Sequence, residues 1–420
     1  MENKTYLNLQ YIVLCIFAFV LPFSTPTLSY LNFSPTLLAI IGLIWLLGGK
    51  FGKKFRQIKT NNALLPFILY ISLYLLYLIG ALYSENLNFA KKDLLLKLPL
   101  LSFPLIIFSM DTSFFTKKHI IFLLKLFVAG NMVAVIASLI HSWVLYLQVP
   151  LFSHFHYVEA SWFHHPSYAS MYYCFSFAII IYLVLTQSLK KYEKIIGSIA
   201  LVLFIVEIIL LDSRAGILAF CGTVLAYGIY LILKKRINTK TIIIIICLGI
   251  ALSVTYALLP NNSNRIQSTI KNLEKETFSI SDPQKANVRI LIWDATTKVA
   301  LKNLPFGVGT GDIKDELLKQ YEIDGYTVPY EENYNAHNQY LQIFTTIGIL
   351  GILIFLIISI LPFWMGFKKE NILFIVFGII ICINFLVESM LEKQAGVMFF
   401  AFFFSLLYYI SQQNIEVKQQ

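Results

Sequence analysis

Residues 338–360 read NQYLQIFTTIGILGILIFLIISI, and no charged side chain interrupts them. The hydrocarbon core of a bilayer is about 30 Å thick and needs about 20 apolar residues per helix, so this stretch predicts a membrane-spanning helix. Similar stretches recur along the 420 residues, of which 58% are hydrophobic and only 13% are charged. Soluble domains usually carry about 25% charged residues. The sequence therefore predicts an integral membrane protein.

Counting such runs predicts an all-α polytopic membrane protein with about twelve transmembrane helices. The predicted spans are 11–30, 33–49, 63–83, 94–110, 119–147, 167–187, 195–212, 215–233, 241–259, 338–360, 371–389 and 395–411. They divide the chain into transmembrane helices 1–9 over residues 1–259, one long loop over 260–337, transmembrane helices 10–12 over 338–411, and a tail over 412–420.

Basic residues indicate which side of the membrane each loop occupies, because short cytoplasmic loops are enriched in Lys and Arg. With the N-terminus inside, eighteen Lys and Arg residues lie on the cytoplasmic side. The short outer loops then hold five, namely Lys91, Lys92, Lys97, Arg214 and Lys393. This distribution predicts cytoplasmic termini and an outer 260–337 loop. It also places the net charge of +10 in loops between spans, which favours a lipid bilayer as partner and excludes a nucleic-acid binder.

The long loop has helical signals of its own. Asp282 followed by Pro283 is typical of a helix start, and apolar residues recur at helical spacing from Val288 to Val299. Asn303-Leu304-Pro305 predicts the end of this helix.

A glycine-rich turn with Gly307, Gly309 and Gly311 comes next. It lacks the GK[ST] of a phosphate-binding P-loop and follows no strand, so it predicts a flexible turn. Asp312 then predicts the cap of a short second helix that extends to about Tyr321.

Two arginines are candidates for binding phosphate, because a planar guanidinium makes two charge-assisted hydrogen bonds to neighbouring oxygens. Arg214 lies at the predicted outer end of a span, where the positive-inside rule gives no reason for an arginine. Arg289 lies on the first loop helix with Trp293 one turn later, so the two side chains could hold a diphosphate and a sugar ring together. Pairing of Arg214 with Asp212, and a solvated Arg289 on an ordinary helix, remain alternatives.

His337 lies where the loop enters span 10, directly before Asn338. Histidine is the usual proton acceptor near neutral pH. A helix N-terminus disfavours the imidazolium, so this position would keep the ring neutral and able to accept a proton. One alternative is a histidine that only caps the helix. Another is that Glu331, Glu332 or Glu388 acts as the base, because these carboxylates are close to His337 in sequence or topology.

The sequence predicts no metal site and no cofactor. The histidines of the 148–166 loop, including His164 and His165, have only Glu159 as a nearby carboxylate, which is a poor zinc pattern. No Asp-x-Asp occurs, and residues 25–35 of the first outer loop contain no acidic side chain that could hold Mg²⁺ against a diphosphate. Arginines would have to supply that positive charge.

The order of the short motifs is specific even though each is weak alone. Ser213-Arg214-Ala215-Gly216 is followed by Arg289-x-x-x-Trp293, Pro305-x-Gly307-x-Gly309 and His337-Asn338-x-x-Leu341, with Gly348 and Gly351 in the next span. Together they resemble the O-antigen ligase/polymerase superfamily of bacterial envelope glycosyltransferases. His165-Pro166-x-Tyr168 and the stretch from Glu388 to Gly396 resemble its ligase-like members.

The resemblance implies a GT-C-type fold in the bacterial inner membrane, with the long loop as a periplasmic lid and the active site facing the periplasm. Such enzymes transfer a glycan from undecaprenyl diphosphate to an acceptor hydroxyl, without metal. The resemblance implies Arg214, Arg289 and His337 as catalytic residues, and Trp293, His165 and Asn338 join the arginines as substrate-binding candidates.

The acceptor differs between members of the superfamily. It is lipid A-core in ligases, a lipid-linked repeat unit in polymerases and a protein in some relatives. The sequence favours a ligase with inversion at the anomeric carbon, and a polymerase or a protein O-oligosaccharyltransferase is the alternative. A polytopic transporter is a remote alternative, because transporters usually show repeat halves with broken helices at the midplane, whereas the polar residues here gather at one face.

Overall fold

The structure is a computed structural model that describes residues 2–187, 189–235 and 287–413. The described chain is helical and contains no β-strand in these ranges. Its helices are α1 (Glu2–Val20), α2 (Ser34–Leu47), α3 (Phe51–Thr60), α4 (Leu64–Leu82), α5 (Leu87–Phe108), α6 (Lys117–Gln148), α7 (Tyr157–Ala160), α8 (Pro166–Thr186), α9 (Lys191–Leu210), α10 (Arg214–Leu233), α11 (Val288–Lys302), α12 (Ile313–Asp324), α13 (Thr327–Glu331), α14 (Gln339–Lys368), α15 (Ile372–Val387) and α16 (Gln394–Gln412). Predicted span 9 and the Asp282–Pro283 helix start lie outside the described residues.

Among the described helices, eight are long and apolar enough to cross a membrane: α1, α2, α4, α6, α8, α10, α14 and α16. The shorter helix α15 is apolar as well. These helices confirm the predicted class, an all-α polytopic membrane protein. Helices α5 and α9 lie at predicted spans 4 and 7, but both carry several charged side chains.

Helix α5 corrects one part of the topology prediction. Asn86 caps its start by accepting a hydrogen bond from the Phe89 backbone, 3.0 Å away. Lys97 lies nearly three turns inside this helix, where its side chain is completely buried. The predicted span 94–110 already contains Lys97, and the structure agrees with that assignment, so counting Lys97 with the short outer loops is wrong. Two carboxylates of the folded protein compensate its buried charge.

Helix α16 forms the centre of the bundle. Phe399, Phe400, Phe402, Phe403 and Phe404 are each at most 1% exposed. A helix that is apolar on every face is expected in the interior, where edge-on aromatic pairs add to the packing. The outermost helices instead expose leucine and isoleucine side chains, as expected of surfaces that contact lipid tails.

Helix α14 is broken near its start, where Ile347 and Gly348 leave helical geometry. The glycine-rich turn occupies the break. Val308 and Gly309 donate backbone hydrogen bonds to the carbonyls of Thr345 and Thr346 at 2.9 and 3.0 Å. A Cβ on Gly348 would lie only 2.0 Å from the Pro305 carbonyl oxygen.

The prediction of a flexible turn at Gly307–Gly311 is therefore wrong. This turn is packed into α14, where it satisfies polar backbone groups that water cannot reach. Its glycines have backbone φ angles of +82° at Gly307 and +96° at Gly309, which L side chains rarely adopt.

Helices α11 and α12 form a small domain that packs on the start of α14. Leu291, Ile292, Val299, Leu317 and Tyr321 contribute to its own apolar core. The two helices confirm the helical signals of the loop, including the predicted end of the first one at Asn303.

The caps of these two helices differ from the predicted ones. In the described chain Asn287 caps α11 by accepting from the Arg289 backbone at 2.9 Å. Asp312 precedes α12 as predicted, but its carboxylate does not cap that helix. It accepts hydrogen bonds from the backbones of Glu85 and Asn86 at 2.9 and 2.8 Å, and so ties this domain to the start of α5.

Candidate active site

His337 lies at the junction between the small domain and α14. Its backbone has φ +42°, a left-handed conformation that is unfavourable for a residue with a side chain. The Asn335 side chain accepts a hydrogen bond from the His337 backbone at 3.0 Å, and the Gln342 side chain accepts one from Ala336 at 3.2 Å. These bonds hold the turn, and strained residues that are held in this way cluster at functional sites.

Asn338 fixes the start of α14. Its side-chain oxygen accepts from the backbones of Tyr340 and Leu341 at 2.9 and 3.1 Å, and its amide nitrogen donates to the Leu386 carbonyl at 3.1 Å. The amide group therefore caps α14 and joins it to the end of α15. The structure thus places this predicted substrate-binding residue directly after His337, with its amide used as a helix cap.

The His337 ring is paired with Glu388, which directly follows α15. Nδ1 lies 3.3 Å from a carboxylate oxygen of Glu388. Because a carboxylate only accepts hydrogen bonds, Nδ1 must carry the hydrogen of this contact. In the neutral imidazole Nε2 is then the nitrogen that can accept a proton. The ring edge also packs on Tyr334, with centroids 5.1 Å apart.

Two further predicted residues, His165 and Arg289, lie close enough to Glu388 to affect its pKa. Burial alone would raise the pKa of the Glu388 carboxyl. The hydrogen bond from His337, the protonated forms of His337 and His165, and the Arg289 guanidinium bring that pKa below its ordinary value. Glu388 is therefore ionised at neutral pH, and both His165 and Arg289 lie within its electrostatic reach.

His165 is the N-cap of α8, and its Nδ1 accepts from the Ser167 backbone at 3.4 Å. Burial lowers the pKa of His165, and the positive charges of His337 and Lys393 lower it further against the effect of Glu388. The ring is consequently neutral at pH 7. Lys393, which the sequence assigned only to an outer loop, contributes a cation to the same region.

Arg214 is the first residue of α10, and its side chain is exposed. Ser213 caps the helix by accepting from the Gly216 backbone at 3.2 Å. A Cβ on Gly216 would lie 2.4 Å from the Ser170 side chain, so the first turns of α10 and α8 pack side by side. This packing places Arg214 next to the end of α8 that carries His165.

Arg289 and Trp293 lie one turn apart at the start of α11, as predicted. Arg289 is half-buried, and Trp293 packs partly against the core of the small domain. The Trp293 indole nitrogen is buried without a hydrogen-bond partner among the described residues.

Sequence reasoning did not identify Glu388 as the partner of His337. The two residues are separated by 51 positions and by the whole of α14 and α15. The available signal was the polar stretch from Glu388 to Gly396 between two apolar helices, which bears two carboxylates at the same end of the bundle as His337.

Residues 199–356 match the family model for O-antigen ligase. This match confirms the resemblance to the O-antigen ligase superfamily. The matched segment contains Arg214, Arg289, Trp293, His337 and Asn338, whereas His165 and Glu388 lie outside it. No curated protein matches the chain.

Proposed function

We propose that this protein transfers a glycan from undecaprenyl diphosphate to the hydroxyl of lipid A-core at the periplasmic face of the inner membrane. The O-antigen ligase match supports a glycosyltransferase of the ligase or polymerase type. The observation that carries the mechanism is the contact between His337 and the Glu388 carboxylate, at the end of the bundle where Arg289, His165 and Arg214 also lie.

In the proposed reaction the acceptor hydroxyl attacks the anomeric carbon of the donor. His337 takes the hydroxyl proton at Nε2 while the bond between the anomeric carbon and the phosphate oxygen breaks. The bonding electrons leave with undecaprenyl diphosphate. Attack from the face opposite the diphosphate inverts the anomeric configuration without a covalent enzyme intermediate.

Glu388 keeps the His337 ring in the tautomer that this step requires, and it stabilises the imidazolium that forms. The same division of roles is known for a histidine and a carboxylate in hydrolytic triads. Glu388 is thus a positioning residue rather than a competing base, because its carboxylate is already bound to Nδ1.

Arg214 and Arg289 bind the diphosphate in this proposal. Negative charge accumulates on the leaving phosphate as the glycosidic bond breaks, and fixed cations that face this charge lower the barrier. The half-buried indole of Trp293 offers an apolar ring surface to a sugar ring. No residue in this scheme requires a divalent metal.

The transporter alternative is weakened by the broken helix itself. In transporters, broken helices expose backbone groups to a substrate near the midplane. Here the break at Ile347–Gly348 is filled by the turn from Pro305 to Gly309, whose backbone hydrogen-bonds the carbonyl groups that the break leaves unpaired within the helix.

A deletion strain tests the proposed function and separates the alternatives. A ligase deletion should leave full-length glycan on its lipid carrier and lipid A-core without it. Single repeat units attached to core would indicate a polymerase, and loss of glycan from a protein would indicate a protein O-oligosaccharyltransferase. Normal attachment in the deletion strain would contradict the proposal.

A further inference from the structure

We propose that a buried ion cluster of Asp93, Lys97 and Glu392 fixes the segment 388–394, so that Lys97 and Glu392 act as positioning residues for the His337–Glu388 pair. The catalytic consequence of this positioning rests on the proposed function. The positioning itself does not, and it can be measured without any transfer reaction.

The cluster joins two elements that are distant in sequence. The Lys97 ammonium lies 2.5 Å from a carboxylate oxygen of Asp93, one turn earlier on α5, and 3.0 Å from the Glu392 carboxylate. The side chains of Lys97, Asp93 and Glu392 are only 0%, 6% and 11% exposed. The Tyr77 ring of α4 lies 4.6 Å from the ammonium and closes the remaining side.

Stability alone is a poor explanation for this cluster. Removing three charged groups from water costs several kcal/mol for each, and buried ion pairs are often no more stable than apolar replacements. Asp93 already balances the charge of Lys97 within α5. Glu392 adds a second carboxylate, and burial keeps its pKa above the ordinary value despite Lys97.

The role left for Glu392 is to connect α5 with the 388–394 segment. Buried ionic groups are best attested where they fix one arrangement among several. The connection is specific because the completely buried Lys97 ammonium offers Glu392 a donor inside the bundle.

The same segment is bound to α14, which carries His337 at its start. The Gln339 side chain accepts a hydrogen bond from the Leu391 backbone at 2.6 Å. On the next turn, the Tyr172 hydroxyl of α8 donates to the Ala395 carbonyl at 2.7 Å. Glu388 therefore sits at the start of a segment held by α5 on one side and by α14 and α8 on the other. Loss of the α5 attachment should let Glu388 move relative to His337.

The test replaces only the connecting carboxylate. Glu392→Met leaves the Lys97–Asp93 pair balanced, and Glu392→Gln keeps a neutral acceptor for Lys97. The matched control is Glu193→Met, which breaks the Lys125–Glu193 ion pair of 2.6 Å between α6 and α9. Each full-length variant is purified in lipid nanodiscs.

Two measurements are made on each variant. The first is the rate at which diethyl pyrocarbonate modifies His337, followed by mass spectrometry with N-acetylhistidine added to each sample as the reference. This reagent attacks an accessible, unprotonated imidazole nitrogen. The second is glycan transfer, with kcat and the acceptor KM determined separately.

We expect the modification rate of His337, relative to N-acetylhistidine, to change at least threefold in Glu392→Met and less in Glu392→Gln. In Glu392→Met, kcat for transfer should fall about 10- to 100-fold while the acceptor KM stays within twofold of the wild type. The reason is that a misplacement of a catalytic group by about 1 Å can lower the rate about 10²-fold. Glu193→Met should resemble the wild type in both measurements.

An unchanged His337 rate in Glu392→Met overturns the proposal. Where the wild type transfers glycan, equal kcat in Glu392→Met and Glu193→Met overturns it as well. Failure of both Glu392 variants to fold would make the cluster a folding determinant and overturn it too. If the wild type shows no transfer while the His337 rate responds as expected, the proposed function fails and the positioning stands.

Discussion

Replacing Glu388 by Gln should slow glycan transfer while leaving the fold intact. The side chains of His337 and Glu388 are 24% and 11% exposed, so water replaces their contact poorly. A hydrogen bond to a charged group contributes about 1.5–3 kcal/mol. At about 1.4 kcal/mol per tenfold in rate, this range corresponds to a loss of about 10- to 150-fold in kcat. The distance of 3.3 Å is long for such a bond and favours the lower half of the range.

The assay is transfer to lipid A-core in proteoliposomes, at equal abundance of each variant. Glu370→Gln serves as control, because Glu370 is an exposed carboxylate that is paired with Lys234 and lies at the opposite end of α15 from Glu388. We also expect non-additivity: Glu388→Gln should cost little more once His337→Ala is present, since both act through one imidazole. Full activity of Glu388→Gln, or additive losses in the double variant, would refute the pairing.

Other variants and conditions test the remaining parts of the account. Arg214→Ala should lower the transfer rate about 10²–10³-fold, because it removes a cation that faces the developing charge. Arg214→Lys should also be impaired, because lysine lacks the planar fork of the guanidinium. A folded and fully active Arg214→Ala would mean that Arg214 is only a membrane anchor. Transfer should persist in excess EDTA, and restoration of a lost activity by Mg²⁺ or Mn²⁺ would contradict binding of the diphosphate by arginines. Gly348→Ala should lower the unfolding temperature, because its Cβ would clash with the Pro305 carbonyl and the backbone φ is +68°. The control is Gly228→Ala, whose Cβ would have no neighbouring atom within 4 Å and should leave the unfolding temperature unchanged. Equal unfolding temperatures for the two variants would refute the packed break in α14.

The sequence predicts the class of fold because membrane spans are a local property. A run such as 338–360 is apolar enough to define a helix whatever surrounds it. The start of α14 at Gln339 and the end of α11 at Lys302 follow from equally local signals.

Features that depend on distant partners are not predicted in the same way. The count of basic residues places Lys97 in an outer loop, because nothing in the local sequence shows that Glu392, almost three hundred positions away, compensates its charge. The glycine turn was expected to be flexible because nothing local shows that α14 opens to receive it. For the candidate site, the sequence indicates His337 and the arginines one by one, but only the folded chain brings Glu388 to the imidazole.

The central claim is that His337 is the general base of an inverting glycan transfer. The most direct measurement compares kcat for transfer by wild type and His337→Ala at equal membrane abundance, together with the anomeric configuration of the wild-type product. General base catalysis typically contributes about 10²–10⁴-fold, so we expect a loss of that size and an inverted product. Near-normal transfer by His337→Ala, or a product of retained configuration, would contradict the claim.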